Sequence, residues 1–352
     1  MIPYWFSFII PSLFSIFVVS KVPKSTNLII VIFFLVIISI ISGLRYEVGG
    51  DWHVYLKDYN QMIDKEIMNV LYSFNFGFNY LLVLSNYLDI GINGLNLIVS
   101  IFFVISLFCY IKDNNDIYLS LVIASPYLIT FVLMGYTKQI IAISFLMIAI
   151  HSIKKQQFIK FTILILLGST FHFWILFFLP FIIYFNFVQK NLVLFGFIAL
   201  IFFIIILLLS FTGINIIFEN YANYPVKSSG AFFRILMNFF SALAFLLFYK
   251  KFINDSKQFN FLILFSLYSF IFFIAFLFTG FSTMFDRISL YLIPMQITIF
   301  SNLPYFFNNF YETLFLKISI ILFYGLFLFI MLNYGVNADQ WLPYDLKILF
   351  YE

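Results

Sequence analysis

"NLIIVIFFLVIISIISGLRYEVGGDW", residues 27–52, is the stretch whose reading decides the fold. Its first seventeen residues carry no charge, and a helix needs about 20 mostly apolar residues to cross a bilayer. The character then changes abruptly. Residues 44–66 carry Arg45, Glu47, Asp51, His53, Lys57, Asp58, Asp64, Lys65 and Glu66. The same alternation of long apolar runs and short polar breaks continues through all 352 residues, of which 64% are hydrophobic and 10% charged, with a mean hydropathy of +1.06. Soluble domains average about 25% charged residues, and helices apolar all round must be buried or lie in lipid. The chain is therefore expected to be an all-α, polytopic integral membrane bundle forming a single domain over 1–352. The 55 Phe and 23 Tyr fit lipid-facing surface and interfacial belts.

Twelve membrane segments are expected, within a range of eleven to thirteen: 3–20, 27–43, 92–111, 117–134, 137–153, 158–171, 174–188, 191–210, 233–249, 259–278, 286–303 and 314–333. Residues 69–88 are amphipathic and interrupted, which suits a short interfacial or re-entrant helix. The segment 158–188 is expected to fold as a hairpin at His172. The N-terminal stretch lacks a basic region and a small-residue cleavage site, so it reads as a retained first helix. Lysines dominate one set of loops (Lys21, Lys24, Lys112, Lys154, Lys155, Lys160, Lys190, Lys250, Lys251, Lys257 and Lys317), which the positive-inside rule makes cytoplasmic. The loops near 44–90 and 211–232, the 279–287 turn and both termini then lie outside, with most of the acids. Arg45, Arg234 and Arg287 all fall at external segment ends. Charge statistics alone do not select arginine, whereas a flat bidentate fork suits phosphate or carboxylate. The pattern points to an external anion site.

Several classes of chemistry are disfavoured. Cys109 is the single cysteine, which excludes an intramolecular disulfide and a cysteine metal site. The net charge of +4 is too small and scattered for nucleic acid. There is no glycine-rich nucleotide loop, no metal-ligand spacing and no paired acid of the kind that holds a nucleotide-sugar metal, so no metal or cofactor is expected. An external enzyme would have to draw its energy from the substrate itself.

The polar stretch supports two readings. In one, Asp51 caps the following helix, Trp52 and Tyr55 share a face, and Arg45 snorkels from an interfacial turn. In the other, Gly49 and Gly50 let the backbone bend beside a ligand that Arg45 grips. His172, in "STFHFW", is either a packed histidine or a base; His53 and His151 are weaker candidates. Asp286 and Arg287 read as a helix cap beside a phosphate-directed arginine. Arg234 follows an external loop carrying Glu219, Tyr221, Tyr224 and Lys227.

The string R-Y-x-V-G-x-D-x-x-x-Y, supplied by Arg45, Tyr46, Val48, Gly49, Asp51 and Tyr55, resembles the signature of the EpsG family of polysaccharide polymerases. That family is similar to the Wzy-type O-antigen polymerases. A second match lies in "GYTKQIIAISFLMIAIHSIKKQQFIKFTILILLGSTFHFWILFFLPFIIY", residues 135–184, at Lys138-Gln139, Ala142, Lys154-Lys155, His172 and Pro180. Together they cover residues 40–185. Lys138 stands where the family usually has arginine, and an ammonium has no bidentate fork.

The resemblance implies a metal-independent, cofactor-free glycosyltransferase of O-antigen, lipopolysaccharide or capsule biosynthesis, working at the outer face of the bacterial inner membrane. It would move a growing glycan from undecaprenyl diphosphate onto another lipid-linked repeat unit. Its partners would be that lipid-linked oligosaccharide, the surrounding lipids and a chain-length regulator. Arg45, Arg234, Arg287 and Lys138 would hold the diphosphate or glycan beside Gly49, Gly50 and Tyr55, with Asp51, His172 and then Glu47 as candidate bases. The rival readings are a lipid-linked oligosaccharide flippase or transporter, an O-antigen ligase, and a sugar acyltransferase. No internal repeat of the transporter kind is evident, and the charges gather at one face.

Overall fold

Apolar runs become helices because a backbone in hydrocarbon must satisfy its own N–H and C=O groups. The computed structural model describes residues 1–17, 23–62, 75–185, 230–252, 256–278 and 282–347, with positions 194, 196, 198, 201, 202 and 228. Every expected segment coincides with helical structure except 191–210, which lies mostly outside the described residues together with the loop carrying Glu219, Tyr221, Tyr224 and Lys227. Among the described residues, four helices are long and apolar enough to cross a membrane: Ser25–Gly43, Gly91–Ile111, Asn260–Phe278 and Phe310–Tyr334. Shorter apolar helices occupy Ile2–Phe17, Ile117–Leu133, Thr137–Ile153, Phe158–Ser169, Phe173–Ile183 and Ala231–Leu247. The protein is thus a helical membrane protein. Among the described residues, strand is limited to one two-residue ladder.

Two compact units emerge: Met1–Ile148 with Leu167–Phe173 and Ile297–Glu352, and Ala149–Leu166 with Trp174–Gln296. In the first, Gly43 is glycine because a Cβ there would come within 2.6 Å of Leu97 Cα. The helices Lys24–Gly43 and Gly91–Ile111 can therefore pack closely, which brings Asn96 beside the end of the first. The α-helix Ile117–Ala124 widens into a π-helix over Ser125–Leu133, all of it buried. Pro126 removes one ladder donor near its start. Thr130 O accepts from Trp341 Nε1 at 3.2 Å, and the Ser125 and Ser7 hydroxyls lie 2.7 Å apart.

Trp341 belongs to a strap, roughly 336–347, that follows the last helix and folds back over the polar stretch. Asp345–Leu346 pairs antiparallel with Arg45–Tyr46, in the register Arg45 to Leu346. Gln340 O accepts from Gly49 N at 2.8 Å and Tyr4 Oη donates to Trp341 O at 2.6 Å. At the far end of Gly91–Ile111 the same unit buries an ion pair. Lys317 Nζ lies 2.7 Å from Asp116 Oδ2, and Ser15 Oγ and Tyr305 Oη donate to the same oxygen. Asp116 Oδ1 accepts from Leu119 N, capping the Ile117–Ala124 helix.

The expected hairpin at His172 is present. Phe158 and Phe185 have ring centroids 6.4 Å apart, whereas a continuous helix would separate them by about 40 Å at 1.5 Å per residue. The chain leaves helical geometry at Thr170–His172 and resumes as a 3-10 turn, Phe173–Phe178. Tyr268 Oη donates to Phe177 O, and its ring packs with Phe178 and Phe181. The short helix Phe76–Tyr87, within the expected 69–88 segment, has 12 residues. At about 18 Å it is too short for a full span.

Two expected caps need correction. Asp51 stands at the N-cap of Trp52–Gln61, but its side chain makes no cap hydrogen bond. Its backbone φ of −102° and ψ of 13° are not the extended geometry a capping side chain uses. Asp286 does not open its helix, which runs from Ser282 to Ser289. It sits a turn inside, where another partner claims it.

Candidate functional site

The polar stretch becomes a turn held from three sides. Arg45 is 2% exposed, and its guanidinium directs four hydrogen bonds to oxygens of the protein. Nε donates to Val48 O at 3.2 Å, Nη1 to Ser42 O, and Nη2 to Asn96 Oδ1 at 3.2 Å and Thr137 Oγ1 at 3.5 Å. Trp52 presents its ring 5.9 Å from the guanidinium carbon. Among the described residues, no carboxylate pairs with Arg45. Burial pushes its pKa down to about 10, so it stays charged at neutral pH.

The two glycines answer to protein neighbours. Gly49 has φ +115°, and a Cβ there would fall 2.0 Å from Met134 O. Gly50 faces the Gln340 side chain and the Trp341 ring, and a Cβ on Gly135 would fall 2.9 Å from the same ring. The bend exists so that the turn can lie against the Met134–Gly135 helix junction and the strap. Glu47, also at positive φ (52°), is exposed.

Beyond the bend, Asp51 at the N-cap and Tyr55 and Asp58 within Trp52–Gln61 fall at i, i+4 and i+7, along one face. Trp52 and Tyr55 are both buried, as their spacing predicts. Tyr55 Oη lies 3.5 Å from Asp51 Oδ2. Lys138 Nζ pairs with Asp58 Oδ2 at 2.9 Å and sits over the rings of Phe78 and Tyr55, 4.9 and 5.5 Å from their centroids. Both charged groups remain partly exposed. Gly77, next to Phe78, donates its N–H to Thr170 O at 3.1 Å, an approach that a Cβ at Gly77 would block by colliding with Thr170 Oγ1. The turn that carries His172 is thereby attached to the aromatic floor beneath Lys138. His172 itself is half-buried and engaged by neighbours.

The second unit places Arg234 differently. Its fork grips Asp286 with Nε on Oδ1 at 2.6 Å and Nη2 on Oδ2 at 2.5 Å. Ser228 Oγ joins the same carboxylate at 2.8 Å. Below it, Gln296 Nε2 donates to Asn238 Oδ1, and Asn238 Nδ2 to Ser289 O. Arg287 is half-buried and also engaged.

The first unit thus gathers Arg45, Gly49, Gly50, Asp51, Tyr55 and Lys138, with the His172 turn attached. Sequence reading missed Asn96, Asp58, the strap and the partner of Arg234. Only Asp58 had a readable signal, its i+7 spacing from Asp51. Among the described residues, no three His, Cys, Asp or Glu side chains gather in a way that could hold a metal ion.

Comparison with curated proteins and with solved structures gave no match. The EpsG family, in contrast, matches residues 3–346, nearly the whole chain, including the strap. With its long apolar helices, this makes the protein a membrane protein of the polysaccharide-polymerase type: the chain belongs to the EpsG family.

Proposed function

We propose that the protein polymerises a polysaccharide at the outer face of a bacterial inner membrane, by transferring a growing glycan from undecaprenyl diphosphate onto a second lipid-linked repeat unit. The observation that carries this reading is Arg45: a buried guanidinium with no carboxylate partner among the described residues, at the end of a membrane helix and beside the Trp52 ring. A fixed, unneutralised cation is what a departing diphosphate needs, since preorganised charge stabilises the transition state without reorganising.

In the proposed reaction the acceptor hydroxyl oxygen attacks the anomeric carbon. The bond from that carbon to the diphosphate oxygen breaks, and the lipid diphosphate leaves with the electron pair. The hydroxyl proton passes to a base, Asp51 or His172, with Glu47 exposed at the rim. Lys138, held by Asp58, adds a point charge. Arg234 can serve phosphate only by exchanging Asp286 for it, and Arg287 stands in the same unit. Twelve spans with lysine-rich cytoplasmic loops complete the proposal, and an external signal from a reporter fused after Gly230 is the expected topology result.

Arg45→Ala is expected to abolish long glycan chains in whole cells while single repeat units still reach the surface. Normal chain length in that variant would refute the diphosphate role. Loss of surface repeat units together with the chains would favour a flippase.

A further inference from the structure

Buried polar atoms without partners are uncommon, and each calls for an explanation. In this protein several of them surround Arg45. The indole Nε1 of Trp52, the Nδ2 of Asn96 and the hydroxyls of Ser42 and Ser100 are all buried without a hydrogen-bond partner among the described protein atoms. Each residue is tied to the guanidinium or adjoins one that is. Trp52 places its ring beside it, Asn96 accepts from Nη2 through Oδ1, and Ser42 accepts from Nη1 through its carbonyl. Ser100 lies one helical turn beyond Asn96 on the same face. All of these side chains are more than nine-tenths buried.

The chemistry of these atoms has a direction. An indole N–H, an amide NH₂ and a guanidinium can only donate, and hydroxyls can do so as well. The amide of Asn96 cannot turn to offer its oxygen, because Oδ1 already accepts from Arg45. What the cluster wants is an acceptor, and the full positive charge of Arg45 wants a negative one. We infer that Arg45, Trp52 and Asn96 form a recessed oxyanion site that takes a phosphate oxygen of a diphosphate, with the Ser42 and Ser100 hydroxyls as further donors. The strap borders this site through its two-residue ladder on Arg45–Tyr46. This inference rests on the proposed diphosphate role of Arg45 and deepens it by adding Trp52 and Asn96 as ligands.

Asn96→Asp tests it with little change of shape. The new carboxylate would meet Arg45 Nη2 where Oδ1 does now and neutralise the cation from within. The purified protein in lipid nanodiscs is melted with increasing inorganic diphosphate, and separately with polyprenyl diphosphate built into the disc. The wild type is expected to gain stability saturably with either ligand, as any native-state ligand requires. Asn96→Asp should melt higher than wild type without ligand and respond to neither. Trp52→Phe keeps an aromatic ring beside Arg45 but loses the N–H, and should need roughly tenfold more diphosphate, the usual cost of one hydrogen bond to a charged group.

A response to the lipid form alone would identify the headgroup, delivered from the membrane, as the ligand. No response of the wild type to either form would overturn the inference and leave water as the occupant. An Asn96→Asp protein that responds like wild type, or melts lower than it, would overturn it too. Polymerisation distinguishes this failure from failure of the functional reading. If Asn96→Asp loses diphosphate binding yet makes normal chains, the site stands and the polymerase role of Arg45 falls. If Arg45→Ala is inactive while Asn96→Asp binds as before, the reverse holds.

Discussion

The two ends of the Gly91–Ile111 helix bury a cation each and treat it in opposite ways. Past its C-terminal end, Lys317 meets Asp116, and Ser15, Tyr305 and a helix cap take up the remaining lone pairs. Near its N-terminal end, Arg45 meets carbonyls, an amide and a hydroxyl, and among the described residues no carboxylate. A buried charge is tolerable when paired and fully hydrogen-bonded, and costly otherwise. The first end is therefore a finished joint tying the first and last helices to the Ile117–Ala124 helix. At the second, the protein carries an electrostatic cost that folding alone does not explain.

That contrast can be broken most directly at the finished end. Asp116→Ala leaves Lys317 buried without a counter-charge and removes a cap, so a loss of about 3–5 kcal/mol is expected. Thermal unfolding in a single detergent measures it, and the double variant Asp116→Ala/Lys317→Met should recover part of the loss. If Asp116→Ala unfolds at the wild-type temperature, the pair is not the joint described.

Gly49 and Gly50 sharpen the other end. Gly49→Ala must hold a Cβ at φ +115° against a backbone oxygen 2.0 Å away, and strain of that kind costs about 1–3 kcal/mol before any clash is counted. Gly50→Ala meets only the flexible end of Gln340 at 3.0 Å and the Trp341 ring at 3.3 Å. A loss under about 1 kcal/mol is expected there. Equal losses at the two positions would mean that the turn is not pressed against Met134.

A smaller effect is expected at the unpaired cation. Arg45→Met strands two backbone carbonyls and the Asn96 amide oxygen, at about 1–3 kcal/mol each, and relieves a desolvated charge whose cost is several kcal/mol. The net change should stay near ~1 kcal/mol in either direction, even as glycan polymerisation is lost. A loss as large as that of Asp116→Ala would put Arg45 among the structural joints and remove the asymmetry.

Much of this architecture was legible because hydropathy reports where a helix can lie in lipid. The uncharged run from Asn27 to Gly43 sufficed to place Arg45 at a helix end. The hairpin at His172 followed from loop charge and is present. What stayed hidden was pairing across long separations. Asp286 looked like a cap because it lies near a helix start, and its partner Arg234 is 52 residues away. The strap carries no periodicity and no membrane signal, so nothing in "NADQWLPYDLK" announced that Trp341 would fill the notch between Gly50 and Gly135. The adjacent glycines were visible as a bend, but what the bend accommodates is another part of the same chain.

The least perturbing probe of the comparison is pH. Burial lowers the folded pKa of Arg45 to about 10, well below that of the free side chain. The sign follows from proton linkage: the unfolded chain binds this proton more tightly, so the charge destabilises the fold at every pH below about 10. Only above about pH 10 does that cost fade as pH rises. Among the described residues, the groups that accept from the guanidinium are carbonyls, an amide and a hydroxyl, and none of these titrates between about pH 5 and 9. The difference in melting temperature between wild type and Arg45→Met should therefore be constant across that window. A difference that changed with pH would mean that a titrating acid compensates Arg45 after all, and both ends of the helix would then follow the same rule.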